Sequence, residues 1–338
     1  MDIQDAIQTV IDKTDLSKDE MRSVMNNIMT GECTDTQIAG FLVGLRSKGE
    51  TVDEITAAAN VMRELASRVH INHDNLIDTC GTGGDGHNTF NISTTAAFVV
   101  AAAGGYVAKH GNRSISSKSG SADVLEAAGV KLELTPEHVA QCVEEIGIGF
   151  MFAPMHHSAM KHAIGPRKEL GVRTVFNVLG PLTNPAGAKR QVIGVFSHDW
   201  LETLANVLKN LGSEQVMIMH SEDGMDEISI SAATNIAELK DGEIKTYKIE
   251  PEQFGMQRAD ISTLAVENVE ESFNVMQAVL DNQGGATKDI VLLNAGAAIY
   301  TAGIEASLDS GITSARQVIE NGSARAKLNE LVKLTQSF

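Results

Sequence analysis

Aromatic side chains are scarce, at 4% of 338 residues with a single tryptophan. Any core must therefore be filled mainly by Ala, Val, Ile, Leu and Met, within a total apolar content of 43%. That supply suits helices packed on a sheet and argues against a β-sandwich. Cysteine is scarce too: Cys33, Cys80 and Cys142 are odd in number and far apart, which excludes a disulfide framework and fits reduced thiols. Positive charge is in deficit. With 27 Lys and Arg against 44 Asp and Glu, the net charge is −17, so neither nucleic acid nor an anionic membrane is a default partner. No apolar run approaches the ~20 residues of a membrane span, and the acidic opening Met1-Asp-Ile-Gln-Asp5 is unlike a signal peptide. A soluble, cytoplasmic protein is expected.

What is present falls into two patterns. The first, over residues 1–69, reads as helices without strands. Ile3, Ile7, Val10 and Ile11 recur at helical spacing. Ser17-Lys-Asp-Glu20 is a capping box ahead of residues 21–29, closed by Gly31. A third helix is expected over residues 35–48, stopping at Gly49, and Thr51-Val-Asp-Glu54 caps a fourth that runs to about Arg68. These apolar stripes make a small bundle, with core packing the simplest use of the surface and a subunit interface another.

From residue 70 the chain alternates strand, loop and helix. Strands are expected at residues 75–78, 148–152, 191–196, 215–220 and 290–293, and helices at 94–103, 122–128, 201–211 and 295–302. Thr135-Pro-Glu-His-Val139 starts another helix with Pro in its first turn. Residues 237–250, with Asp241-Gly242 at their centre, read as a β-hairpin. The expected fold is α/β: a small all-helical N-terminal domain, residues 1–69, packed on a larger domain, residues 70–338, with a mostly parallel central sheet flanked by helices. No internal repeat or low-complexity tract interrupts it.

Two loops in this second pattern carry the chemistry. Gly81, Gly83, Gly84 and Gly86 crowd one loop between a strand and a helix opening near Ser93, with Asn91 and Thr94 beside it as further N-cap types. Glycines let the backbone turn its N–H groups toward a bulky anion, and a helix N-terminus adds a positive dipole end. The second loop, from Lys109 to Ser121, adds Lys109, Arg113 and Lys118 to a run of hydroxyls. A pair of such loops points to a ligand with more than one phosphate, although glycine-rich loops also serve as plain turns. Gly81-Thr-Gly83-Gly-Asp-Gly86 fits the dinucleotide fingerprint poorly, because Lys109 and His110 stand where an acidic ribose ligand belongs. No P-loop motif is present. Cys80 reads as a small hydrophobe under a turn. His156, His157 and His162 lie at spacings of five and six, unlike a zinc helix, and read as lining a cleft.

These residues also carry a family resemblance. Asp78-Thr-Cys-Gly-Thr-Gly-Gly-Asp85, Asn91-Ile-Ser-Thr94 and Lys109-His-Gly-Asn-Arg-Ser114 resemble the signatures of the anthranilate phosphoribosyltransferases. The likeness continues through the stretch from Arg167 to Pro185 and Asp223-Gly-Met-Asp-Glu-Ile-Ser229, covering essentially the whole chain in order. It implies transfer of a phosphoribosyl group from 5-phosphoribosyl-1-diphosphate to the amino nitrogen of anthranilate, in tryptophan biosynthesis. The donor would be held by Gly81, Gly84, Asp85, Thr89, Asn91, Ile92, Ser93 and Thr94, and by Lys109, His110, Gly111, Asn112, Arg113, Ser114, Ile115, Ser116, Ser117 and Ser121. Anthranilate would meet Gly81, Asn112 and Arg167, whose planar guanidinium can fork onto a carboxylate. Ser93, Asp226 and Glu227 would hold Mg2+, two ions by expectation, and no side chain stands out as an acid or base. The resemblance also implies a homodimer through the helical domain, which part of residues 166–190 would join in space. Two rivals share the fold. A pyrimidine-nucleoside phosphorylase would lack the stretch from Leu179 to Ala186, and a non-catalytic nucleic-acid-binding relative would be basic and lose the acidic pair. The charge of −17 predicts no retardation of duplex DNA by micromolar protein at physiological salt in a gel-shift experiment.

Overall fold

A computed structural model describes residues 1–114 and 117–338. Four helices open the chain: α1 (Ile3–Ile11), α2 (Lys18–Thr30), α3 (Asp35–Lys48) and α4 (Val52–Leu65). Ser17, Thr34 and Thr51 cap the last three with reciprocal boxes to Glu20, Gln37 and Glu54, and Gly31 ends α2 in the left-handed region. Helix α4 stops short of Arg68. The chain there goes extended, because Ser67 N–H pairs with the His156 carbonyl at 2.8 Å and Val69 N–H with that of Pro185 at 3.1 Å.

The sheet and its helices follow: β1 (Leu76–Thr79), α5 (Ile92–Ala102), β2 (Tyr106–Gly111), α6 (Ser121–Ala127), α7 (Pro136–Ile146) and β3 (Ile148–Phe152). Three short helices, α8 (Ala153–His156), α9 (Lys161–Leu170) and α10 (Phe176–Leu179), return the chain toward the bundle, where α9 lies against α2 and α3. Then come β4 (Arg190–Gly194), α11 (Trp200–Asn210), β5 (Gln215–Ser221), β6 (Thr234–Lys240) and β7 (Glu243–Ile249). Helices α12 (Val269–Leu280), α13 (Ala286–Thr301), α14 (Leu308–Glu320) and α15 (Ser323–Thr335) complete the chain. The sheet order is β3-β2-β1-β4-β5-β6-β7, parallel from β3 to β5 and antiparallel beyond. The β6–β7 hairpin turns on Asp241 and Gly242, at φ 53° and 75°, which is the left-handed pair a two-residue turn requires.

Successive residues of β4 and β5 enter different cores. Val192, Met217 and Met219 pack with α5, α12 and α13, whereas Ile193, Val195, Val216 and Ile218 join α11 and the helical bundle. The second core passes without a break from Phe41 and Leu45 through Ala163, Phe176 and Leu179 to the sheet. One expectation fails: residues 290–293 are not a strand but lie inside α13, with residues 295–302 largely in the same helix. Ile290, Val291, Leu292 and Leu293 are each at most 1% exposed, and a segment buried on all sides shows no periodicity that would distinguish strand from helix. Helix α13 crosses α14 at Gly296, where an added Cβ would come 2.4 Å from Ile312 Cγ1 and 2.7 Å from its backbone nitrogen. Gly296→Ala should therefore cost about 1–3 kcal/mol by overpacking, read as a lower urea midpoint with an unchanged slope.

Candidate functional site

The strand order reverses between β1 and β4, and at such a switch point the connections leaving the strand ends diverge to open a crevice. The glycine loop after β1 lies in it. Cys80 N–H and Thr82 N–H donate to the carbonyls of Val192 and Gly194 at 3.2 and 2.9 Å, so the loop continues along β4. Gly83 and Gly84 then turn at φ 64° and 80°. The segment after β5 closes on this loop so tightly that a Cβ on Gly194 would lie 1.4 Å from the Asp226 carbonyl oxygen. The Asp226 carboxylate accepts from Gly83 N–H at 2.8 Å, and a Cβ on Gly81 would sit 2.9 Å from its Oδ2. Glu227 lines the crevice together with Ser93 in the first turn of α5, which places a carboxylate near the N-terminus of that helix.

Asp85, Asp226 and Glu227 thus share one small region. Burial, and then the neighbouring Asp85, holds the Asp226 carboxyl protonated well above the usual range; burial and Asp226 push Glu227 up to about 8. Lys109 offsets part of this charge. It is 3% exposed and donates to the Thr79 carbonyl, with Thr79 Oγ1 at 3.3 Å and Ser93 Oγ at 3.5 Å. Among the described residues no three His, Cys, Asp or Glu side chains form a metal cage. A set of hard oxygens that must carry protons when no cation is near fits Mg2+ completed by water and substrate phosphate.

The second loop is tied to the first. Asn91 stands at the N-cap of α5 without capping it; its amide donates to the Ser119 carbonyl at 3.1 Å and its Oδ1 accepts from Ser119 and Ser272 hydroxyls, both at 2.7 Å. Ile92 and Thr94 are buried, and Thr89 forms an isolated bridge to Ala265. Gly111 is crossed by Ser121, whose hydroxyl would lie 2.2 Å from an added Cβ and donates to the Asn112 carbonyl at 3.3 Å. Ser114 and Ser117 bond each other. Arg113 is not a spare cation: Asp123 at 3.1 Å and Glu126 at 2.7 Å compensate it. Ile115 and Ser116 lie outside the described residues. His110 is buried beside His157, ring centroids 5.0 Å apart, and burial drives its pKa well down. His156 bonds the Ser67 carbonyl and His162 covers Gly31, so the three histidines do not converge. Burial also raises the Cys80 thiol, which leaves it protonated and inert.

Arg167 lies on α9, its guanidinium 5.2 Å from the Phe176 ring centroid, and pairs with no described carboxylate. Sequence reasoning missed four supports of this site. Asp78, fully buried at the end of β1, accepts from His110 N–H at 3.1 Å and Asn184 Nδ2 at 2.7 Å. Asn294 on α13 grips both polar groups of the Ile228 backbone, each at 2.9 Å, directly beside Glu227. Asp223 gathers the hydroxyls of Ser221, Ser229 and Ser231 behind the acidic pair. Arg173 donates to the Gly84 carbonyl. Asp78, Asp223 and Arg173 lie in stretches that carry the resemblance but gave no sign of these contacts; Asn294 left a signal as a lone polar residue in an apolar run.

Profiles of a glycosyl transferase family match the chain in two pieces: its helical bundle domain over residues 4–66 and its a/b domain over residues 73–325. Bundle, sheet and cleft together are those of a glycosyl transferase. Among named relatives, the anthranilate phosphoribosyltransferase of Thioalkalivibrio sulfidiphilus is 62% identical, with 100% of both chains covered. That of a Marinomonas species is 59% identical over 100% of this chain and 98% of its own. The crystal structure of the Thermus thermophilus enzyme superposes with a TM-score of 0.93 at 43% identity, covering 98% of this chain and 99% of the other. The Saccharomyces cerevisiae enzyme in complex with PRPP and Mg gives 0.91 at 26% identity, covering 99% and 98%. The chain belongs to the anthranilate phosphoribosyltransferase family.

The raised carboxyls carry a consequence for stability. The folded chain keeps protons that the unfolded chain releases near pH 4 to 4.5, so stability falls as pH rises toward the folded values, about 8 for Glu227. Buried His110, His156 and His157 have lowered pKa values and act at lower pH, His157 near 4. Melting temperature in metal-free buffer should therefore drop between about pH 6.5 and 8.5. Asp226→Asn with Glu227→Gln should flatten that slope in parallel thermal melts.

Proposed function

We propose that this protein transfers the 5-phosphoribosyl group of 5-phosphoribosyl-1-diphosphate to the amino nitrogen of anthranilate. The products are N-(5-phosphoribosyl)anthranilate and diphosphate, in the second step of tryptophan biosynthesis. The observation that carries this reading is the meeting, in one crevice, of two anion loops and a carboxylate set for a hard cation. Its full-length likeness to the family supports the same reaction.

The amino nitrogen of anthranilate is already a free base at neutral pH, so its lone pair can form the new bond to ribose C1 without prior proton removal. The C1–O bond to diphosphate breaks, and the nitrogen then gives up a proton to water or a weak acceptor. The greater demand is the charge gathering on diphosphate. Loop N–H groups, the Lys109 ammonium and the N-terminal end of α5 are fixed in place before reaction, which is what makes such donors effective. Asp226, Glu227 and Ser93 are proposed to hold Mg2+, as two ions, which supplies neutralisation of the diphosphate when bound. The donor assignments from Gly81 to Ser121 stand as proposals, with Asn91, Ile92 and Thr94 acting through backbone groups because their side chains are engaged or buried.

Arg167 is proposed to anchor the anthranilate carboxylate beside Gly81 and Asn112. Burial lowers its pKa, the sign of a cation held with little compensation. We take residues 1–69 with part of 166–190 as the helical domain, residues 70–338 as the donor domain, and the former as a homodimer face. Exposed Ile11, Val43 and Ile164, at 58%, 45% and 55%, lie on α1, α3 and α9, which pack side by side. No helix among the described residues is long and apolar enough to cross a membrane, and a cytoplasmic location is proposed.

Loss of anthranilate fluorescence should require the diphosphate sugar and Mg2+ together, and disappear on chelation. An unchanged signal would overturn the reaction. Arg167→Gln should weaken apparent anthranilate affinity by about 10- to 150-fold, the worth of a charge-assisted contact of about 1.5–3 kcal/mol. The KM for the donor should move much less, and Arg167→Lys should rescue in part. Equal shifts in both KM values would remove the assignment.

A further inference from the structure

The short connection between α9 and α10 touches both sides of the crevice. Arg173 in this connection sends its Nη2 to the Gly84 carbonyl, and its guanidinium lies 4.0 Å from the Phe196 ring centroid. Its own carbonyl accepts from Arg46 of α3 in the bundle. Arg173 forms no salt bridge with a described carboxylate, so its charge is not consumed elsewhere. Phe196 reinforces the grip, since its N–H donates to Thr82 Oγ1 at 3.2 Å. The glycine loop is thus held residue by residue: Thr82 by Phe196 and Gly194, Gly83 by Asp226, and Gly84 by Arg173.

Such a grip has a directional effect. A trans peptide is planar, so its carbonyl and the following N–H point in opposite directions. Drawing the Gly84 carbonyl to Arg173 turns the Asp85 N–H the opposite way. Without that tie, the Gly84–Asp85 peptide could flip by rotation about ψ of Gly84, which sits at φ 80° and has no Cβ to resist. A flipped peptide would face an incoming anion with a carbonyl dipole.

We infer that Arg173 is a positioning residue for the sugar-diphosphate donor: it fixes the peptide after Gly84 so that the loop offers N–H groups to the diphosphate. This rests on the donor proposed above. It also puts the proposed anchors of the two substrates six residues apart on one stretch of chain, Arg167 for the acceptor and Arg173 for the donor loop. Movement of the bundle would then reach the donor loop through Arg46 and Arg173.

The test uses the full chain with Arg173→Gln, Arg173→Lys and Phe196→Leu. Arg173→Gln should raise the KM for the diphosphate sugar about five- to tenfold, with the KM for anthranilate at saturating donor changed by less than about twofold. Arg173→Lys should recover part of the loss, because an ammonium donates to a carbonyl but does not stack as a plane. Phe196→Leu should fall between wild type and Arg173→Gln. A merely structural arginine predicts a lower melting temperature with both KM values moving together, and that result, or an unchanged donor KM, would overturn the inference. Calorimetry with inorganic diphosphate and Mg2+ reads the same loop without turnover. If the wild type failed to consume anthranilate while Arg173→Gln still lost diphosphate affinity, the reaction would fall and the loop assignment would stand.

Discussion

Three carboxylates, Asp85, Asp226 and Glu227, are held in one crevice without enough positive charge to neutralise them, and much of the surrounding structure exists to keep them there. Left alone, buried like charges would separate or keep protons, and here Asp226 and Glu227 keep protons. Separation is prevented from three sides. Gly194 lets the Asp226 backbone come against the end of β4, Asn294 holds the residue after Glu227, and Asp223 binds three hydroxyls of the same segment. The fold thus stores an unmet demand for a cation. A substrate that brings a divalent ion on its phosphates meets that demand, which links binding of the metal to binding of the sugar.

The supports lie deeper than the site. Asp78 is buried at the end of β1, where burial raises its pKa to about 6 despite bonds from Asn184 and His110. Asn184 also donates to the Ala108 carbonyl at 2.9 Å, so one side chain joins β1, β2 and the loop before β4. A buried polar cluster of this kind is costly if broken, since each lost partner leaves an unsatisfied group. The cluster fixes the height at which both anion loops leave the sheet.

Much of this was legible in sequence, for local reasons. Capping boxes at Ser17 and Thr51, the Asp241-Gly242 turn and Pro136 in its helix all act within four residues, so their structures followed from their neighbours. The glycine loop was legible as an anion-loop candidate because four glycines crowd six residues before a helix N-terminus, although such a loop alone could be a plain turn. What failed was non-local. Residues 290–293 form part of a helix because α5, α14 and the sheet bury it on every side, and no periodicity survives that. The pairing of Arg113 with Asp123 and Glu126 on the following helix was likewise not legible, while its assignment to the donor stands as a proposal. Arg173 lay in a stretch that carries the resemblance, but its contacts could not be read there, since its partners Gly84, Phe196 and Arg46 are remote in sequence.

The shortage of aromatic residues has a spectroscopic consequence. Trp200 is the only tryptophan, at the start of α11, and its ring meets that of Phe196 edge-on, centroids 6.3 Å apart. Phe196 in turn carries Arg173 on its face and Thr82 on its backbone. The chain's one indole therefore stands a single ring away from the glycine loop, half-buried, with no second tryptophan to dilute its emission. Its fluorescence is a built-in optical probe of that loop, without any label.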